Sequence, residues 1–156
     1  MQIKLPAPSP KQELFLTDTH RHVAFGGARG GGKSWSVRVK AILLALKFKG
    51  IRICIIRRTY PELIENHIKP LKELLMIGAK DSVAKYNDSR KEMKFLNGSE
   101  IKFCYCNAEK DLNNFQGVQY DVIFIDEATQ LKQEWVDAIC ACVRGVNSFP
   151  KRVYYT

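Results

Sequence analysis

The densest chemistry in this sequence lies in one run, Gly26-Gly27-Ala28-Arg29-Gly30-Gly31-Gly32-Lys33-Ser34. From Gly27 it reads G-x-x-x-x-G-K-S, the pattern of a loop that wraps a polyphosphate. Such an anion is best held by several backbone N–H groups aimed at one point. That demands backbone free of Cβ atoms and tolerant of positive φ, hence Gly27, Gly30, Gly31 and Gly32, with Ala28 the smallest other choice. Lys33 would carry a mobile positive charge to the β- and γ-phosphates of a nucleotide such as ATP. The Ser34 hydroxyl would bind the Mg²⁺ that accompanies it. A glycine-rich surface turn is the plain alternative.

A second run, Val122-Ile123-Phe124-Ile125-Asp126-Glu127, leads four apolar residues straight into two acids. A buried strand delivers carboxylates to a site in this way. One acid suits the metal, directly or through water, and the other can orient and deprotonate an attacking water. Asp126 is assigned to the metal and Glu127 to the base. The alternative is an acidic cap for a helix over 132–144.

Both runs need a scaffold that brings them together. Val23-Ala24-Phe25 before the glycines is strand-like, and Trp35, Val39, Ile42, Leu43 and Leu46 after them recur at helical spacing up to Gly50. Ile51 to Ile56 is a continuous apolar run, as in a parallel strand covered on both faces, and Arg57-Arg58-Thr59 sits at its C-terminal end. Residues 62–77 read as a helix interrupted at Pro70. Apolar and charged residues alternate on both sides of Asn97-Gly98, which predicts an antiparallel hairpin. Residues 107–120 read as loop, and residues 152–156 as a further strand. The expected fold is therefore α/β: a phosphate-loop NTPase with a mostly parallel sheet, flanking helices and a hairpin insertion.

Composition bounds the rest. The 156 residues suit one domain, 46% are hydrophobic, and 25 Lys plus Arg against 16 Asp plus Glu give a formal charge of +9. That excess favours a polyanionic partner such as nucleic acid. Five cysteines without a leader pattern suggest free thiols in a reducing setting. Cys140 and Cys142, two apart on a helical pattern, point to different sides and do not make a zinc pair. His20 and His22 read as solvated loop residues.

Taken together, these residues resemble the ATPase domain of the large terminase subunit of tailed phages. The resemblance rests on Gln12 in a proline-bearing arm, the glycine loop with Arg29 inside it, Ile56-Arg57-Arg58-Thr59, Phe115-Gln116-Gly117, and the acidic run continuing into Ala128. It covers nearly the whole chain. It implies an ATP hydrolase of the RecA-like class that drives double-stranded DNA into a capsid. Its implied partners are DNA, a portal protein, a small terminase subunit and neighbouring copies in a ring, in the host cytoplasm. It also implies that Gln12 contacts adenine and that Arg29 contacts the γ-phosphate, with an ordinary polar helix residue and a loop surface charge as the respective alternatives.

In that ATPase class the strand after the acidic one inserts between it and the phosphate-loop strand. The expectation is therefore that Val153 to Tyr155 pairs with both, that residues 1–22 form an arm on one ATPase domain, and that the sequence given stops at the family's coupling motif without a nuclease domain. The segment 107–119 holds Lys110 but no arginine to act on a neighbour's ATP; Arg90 or Arg144 could substitute. Two other readings stay open: a helicase-like repair motor, and a nucleotide-dependent assembly module without useful turnover.

Overall fold

The computed structural model describes residues 2–29, 32–145 and 147–156. Gly30 and Gly31 of the glycine run lie outside the described residues. Helix α1 (Pro10–Thr17) starts where Ser9 and Gln12 close a reciprocal capping box, with Pro10 in the first turn. Strand β1 (His22–Ala24) then leads through the loop into α2 (Lys33–Lys47). Next come β2 (Arg52–Arg57) and one helical stretch made of α3 (Tyr60–Leu63), a π-helical turn (Ile64–Ile68) and α4 (Lys69–Leu74). Strands β3 (Ala84–Asn87), β4 (Glu92–Phe95) and β5 (Glu100–Tyr105) precede a 3-10 turn at Glu109–Phe115. Strand β6 (Val122–Ile125), a short 3-10 turn (Ala128–Gln130), α5 (Gln133–Cys140) and β7 (Arg152–Tyr155) complete the chain.

Among the described residues, seven strands form one sheet in the order β1-β7-β6-β2-β5-β4-β3. The pairs from β1 through β5 are parallel, and β4 and β3 add the antiparallel edge. Strand β7 lies between β1 and β6, with Val23 opposite Tyr154 and Phe124 opposite Tyr154. Val153 to Tyr155 thus pairs with both the phosphate-loop strand and the acidic strand, as the resemblance implied.

The sheet separates two cores because neighbouring residues on a strand point to opposite faces. Ile53, Ile55, Val122, Phe124 and Tyr154 pack on one side with Val37, Ala41 and Leu44 of α2. Cys54, Ile56, Ile123, Ile125 and Val153 pack on the other with Trp135 and Ile139 of α5. Burial on both faces explains why β2 and β6 are continuous apolar runs rather than alternating ones. The predicted hairpin is present, with Gly98 at φ +87°. Asn97 Nδ2 donates to Ala45 O at 2.8 Å, and Ser99 Oγ reaches both Ala45 O and Phe48 O at 2.8 Å. The hairpin turn thereby closes the open carbonyls at the end of the phosphate-loop helix.

Several boundaries differ from the sequence reading. The helix expected over 132–144 is only Gln133–Cys140. The segment 107–120, read as loop, contains a 3-10 turn capped by Asp111, whose Oδ2 accepts from Asn107 N and Ala108 N. The interruption near Pro70 takes the form of a π-turn before the proline. His22, read as a loop residue, belongs to β1, although it is exposed as expected.

Candidate functional site

The glycine loop, the C-terminal ends of β2 and β6, and the helix after β2 meet at one edge of the sheet. They line a cleft of about 580 Å³. Its walls include Arg29, Gly32, Lys33, Ser34, Arg38, Arg57 and Glu127. This volume suits a nucleotide-sized ligand. The sequence-predicted residues outside this lining are also close by. Gln12 reaches Gly32 O through Nε2 at 3.4 Å while its Oε1 accepts from Ser9 N at 2.8 Å. Gly26, Gly27, Ala28, Arg29 and Lys33 line an adjoining depression with Ser9, Lys11 and Phe25.

Lys33 turns back over its own loop, donating to Gly27 O at 2.6 Å and Ala28 O at 3.4 Å. Gly32 has φ +71°, and a Cβ there would fall 2.1 Å from Gln12 Nε2. Glycine is needed for the left-handed backbone, whereas the Gln12 amide, at the end of a flexible side chain, can move aside. Gly32→Ala is expected to lower the unfolding free energy by about 1–2 kcal/mol, the cost of a left-handed alanine. A denaturant titration checks this, and unchanged stability would show that α1 and the loop yield freely.

The acidic strand ends inside a polar cluster. Asp126 is fully buried, and its carboxylate gathers hydrogen bonds from Ser34 Oγ (2.8 Å), Arg57 Nη1 (3.2 Å) and His67 Nε2 (2.7 Å) at Oδ2, and from Thr156 Oγ1 (2.6 Å) at Oδ1. Burial alone would push the Asp126 carboxyl up. The hydrogen bonds from His67, Thr156 and Ser34 outweigh it and hold the group well below the usual carboxylate range. For His67 burial is the largest influence and lowers its pKa, against the opposing pull of Asp126. An ionised carboxylate can only accept, so in this contact His67 carries a proton on Nε2. Nδ1 of His67 is buried with no hydrogen-bond partner among the described residues, an arrangement that costs about 1–3 kcal/mol.

Glu127 adopts φ 56°, ψ 47°. This left-handed step turns the chain out of β6, so that Asp126 stays in the core while Glu127 faces the cleft. The two acids are thereby given different surroundings, one buried and the other partly open. Thr156 N donates to Ile125 O at 3.1 Å and Ala128 N to Thr156 O at 2.9 Å, so the end of β7 is stitched to the same turn.

The donors here suit magnesium better than a protein-caged metal. Among the described residues no group of three His, Cys, Asp or Glu could hold an ion. Ser34 and Asp126 offer one hydroxyl and one carboxylate beside a phosphate loop. That suits an ion which keeps water and phosphate oxygens as most of its ligands. Because Ser34 donates its proton to Asp126, its lone pairs are left for a cation.

Sequence reasoning missed His67 and Arg38. Arg38 Nη1 donates to Asn66 O, the carbonyl that Pro70, four residues on, has no N–H to bond. Pro70 inside a helical pattern was the available signal. Of the two arginines at the C-terminal end of β2, Arg57 is buried on Asp126, while Arg58 is exposed. Arg90 lies in a separate depression with Arg52 and Lys102, and Arg144 in another with Phe115 and Gly117.

A sequence model described as phage terminase large subunit matches residues 19–156. The chain belongs to that family. No curated protein matches it. This terminase chain is similar in structure to the large terminase of a thermophilic bacteriophage, with a TM-score of 0.77 at 19% identity over 94% of this chain and 38% of that one. It is similar to the large terminase ATPase domain of Thermus phage P74-26, with a TM-score of 0.69 at 19% identity, covering 96% of this chain and 65% of that one. It also matches the HK97 bacteriophage large terminase, with a TM-score of 0.75 at 15% identity over 97% of this chain and 33% of that one. The first of these three proteins is also known in complex with ADP and with ATP-γ-S. The terminase chain thus spans 38% of that first protein's length, and its fold is the α/β phosphate-loop NTPase fold expected from the sequence. No helix among the described residues is long and apolar enough to cross a membrane.

Proposed function

We propose that this chain is the ATPase domain of a DNA-packaging motor, hydrolysing ATP to drive double-stranded DNA into a phage capsid. The observation that carries this reading is the 2.8 Å contact between Ser34 of the phosphate loop and Asp126 of the acidic strand, with Glu127 facing the same cleft. The ADP and ATP-γ-S complexes of the thermophilic bacteriophage's large terminase support the choice of nucleotide.

In this reading the loop from Gly26 to Ser34 cradles the phosphates through its backbone N–H groups. Lys33 leaves its contacts with Gly27 and Ala28 and moves to the β- and γ-phosphates. Gln12, held by its cap at Ser9, contacts the adenine. Ser34 and Asp126 would hold Mg²⁺, which when bound neutralises charge on the phosphate oxygens. Glu127 orients a water in line with the γ-phosphate and takes its proton on the carboxylate as the water attacks, while the bond from the γ-phosphorus to the bridging oxygen breaks and its electron pair leaves with ADP. Arg29 offsets charge that develops on the γ-phosphate. Positioning and charge carry the catalysis, with no covalent step on the protein.

The motor role extends the reading to partners: double-stranded DNA bound without sequence preference, a portal protein, a small terminase subunit and neighbouring copies, in the host cytoplasm. Residues 1–22 serve as the arm of one ATPase domain. Lys33→Ala tests the core of the proposal. Affinity for ATP, read by titration of a fluorescent analogue, is expected to fall by about two orders of magnitude as a direct charged contact is lost. Unaltered affinity would sink the phosphate-loop assignment.

A further inference from the structure

The proposed chemistry uses Lys33, Ser34, Asp126 and Glu127, and it leaves His67 unexplained. His67 is fully buried with Nε2 2.7 Å from Asp126 Oδ2, and its Nδ1 is buried with no partner among the described residues. A buried ring with one nitrogen unmatched is a poor filler, since an apolar side chain would occupy the same space without leaving a polar atom unmatched.

Its placement is specific. His67 sits in the π-helical turn Ile64–Ile68, closed by Lys69 N donating to Ile64 O five residues back. His67 lies four residues from both Leu63 and Leu71, which are fully buried, so it occupies the inward-facing stripe of this helical stretch. Pro70 supplies no N–H to Asn66 O, and Arg38 of the phosphate-loop helix takes that carbonyl instead. The residue next to His67 is therefore tied to the helix that begins at Lys33.

We infer that His67 is a positioning residue, whose Nε2–H holds the Asp126 carboxylate toward Ser34 and against the pull of Arg57. The inference rests on the nucleotide reading above. Asp126 Oδ2 is shared by donors from three elements: Ser34 at 2.8 Å, His67 at 2.7 Å and Arg57 at 3.2 Å. His67 makes the shortest of the three contacts and Arg57 the longest, while Thr156 Oγ1 pins the other oxygen at 2.6 Å, so the imidazole is what keeps the guanidinium at arm's length. Remove the imidazole, and the guanidinium is left as the competitor for that oxygen. The carboxylate then turns toward the cation and away from Ser34, and the serine–carboxylate pair that would hold Mg²⁺ loosens. Partners that orient a metal-binding group in this way usually matter by about 10–100-fold.

The test uses the 156-residue chain with His67→Leu, which has no donor, and His67→Gln, whose amide N–H reaches about as far as Nε2. Affinity for a fluorescent ATP analogue is measured with and without Mg²⁺, together with turnover and the melting temperature of the unliganded protein. For His67→Leu we expect affinity without Mg²⁺ close to wild type, because the loop and Lys33 supply it. The tightening by Mg²⁺ should fall by about tenfold or more, turnover by about 10–100-fold, and the melting temperature should not fall. His67→Gln should recover most of the tightening and turnover. Wild-type tightening in His67→Leu would overturn the inference. So would Gln and Leu variants equally impaired and equally lowered in melting temperature, which is the mark of a merely structural residue. If Leu prevents folding, Gln and Asn decide instead: the Asn amide stops short of Oδ2, so an Asn variant equal to Gln overturns the inference. Absence of any Mg²⁺ tightening in the wild type removes the nucleotide reading and the role of His67 together, whereas tightening in the wild type matched by His67→Leu removes only the latter.

Discussion

Glu127→Gln is expected to reduce phosphate release by about 10²-fold or more while ATP affinity stays near wild type. The substitution keeps shape and hydrogen-bonding reach but removes the base. The split between turnover and affinity follows from the geometry. Glu127 lines the cleft without belonging to the buried cluster around Asp126, so its loss leaves the phosphate cradle and the Ser34–Asp126 contact in place. The backbone offers a control. Glu127 holds φ 56°, ψ 47°, a conformation that asparagine tolerates better than glutamate. Glu127→Asn should therefore lose turnover similarly while unfolding at a denaturant concentration no lower than wild type. Turnover unchanged in Glu127→Gln would remove this residue from the mechanism. Turnover lost in step with stability in both variants would mean that the turn, and not the carboxylate, was at stake.

Asp126→Ala should have the largest effect on stability, about 3–5 kcal/mol, as well as abolishing turnover. The reason is what remains behind. Ser34, Arg57, His67 and Thr156 all donate to this one carboxylate, and the Arg57 side chain is only 8% exposed. Deleting the acceptor strands a buried guanidinium, and breaking such a pair from one side is costly because the survivor keeps its desolvation penalty. Globular domains hold only about 5–15 kcal/mol in total, so the variant should sit near the edge of folding. Asp126→Asn should be milder, since one carbonyl oxygen survives to accept from Arg57 and His67 while the amide faces Thr156. Chemical denaturation of the three proteins gives the order. An alanine variant as stable as wild type would mean that the buried cluster contributes nothing net.

The sign of the pH dependence agrees with this picture. Asp126 has its folded pKa held below the ordinary carboxylate value, so its contribution is fully present above about pH 4, the unfolded value. It is lost as the pH falls through the lower, folded value.

Which parts of this protein could be read from the chain alone follows from how local each requirement is. The glycine loop was legible because its demands are met within nine adjacent residues: backbone without Cβ, then a cation, then a hydroxyl. Strands β2 and β6 were legible because burial on both faces leaves a continuous apolar run, and the hairpin because Asn97-Gly98 meets the turn's positive φ locally. The place of β7 between β1 and β6 came from the resemblance, not from its residues; Arg152–Tyr155 by itself says strand and nothing of its neighbours. The cluster on Asp126 needed the tertiary structure, because its members lie at positions 34, 57, 67, 126 and 156. No periodicity links residues so far apart. His67 lies four residues from both Leu63 and Leu71, on the buried stripe of its helix, so its burial was open to the spacing alone. That the carboxylate of Asp126 meets it there was decided only by the tertiary structure, which packs the helix after β2 against the end of β6, 59 positions along the chain.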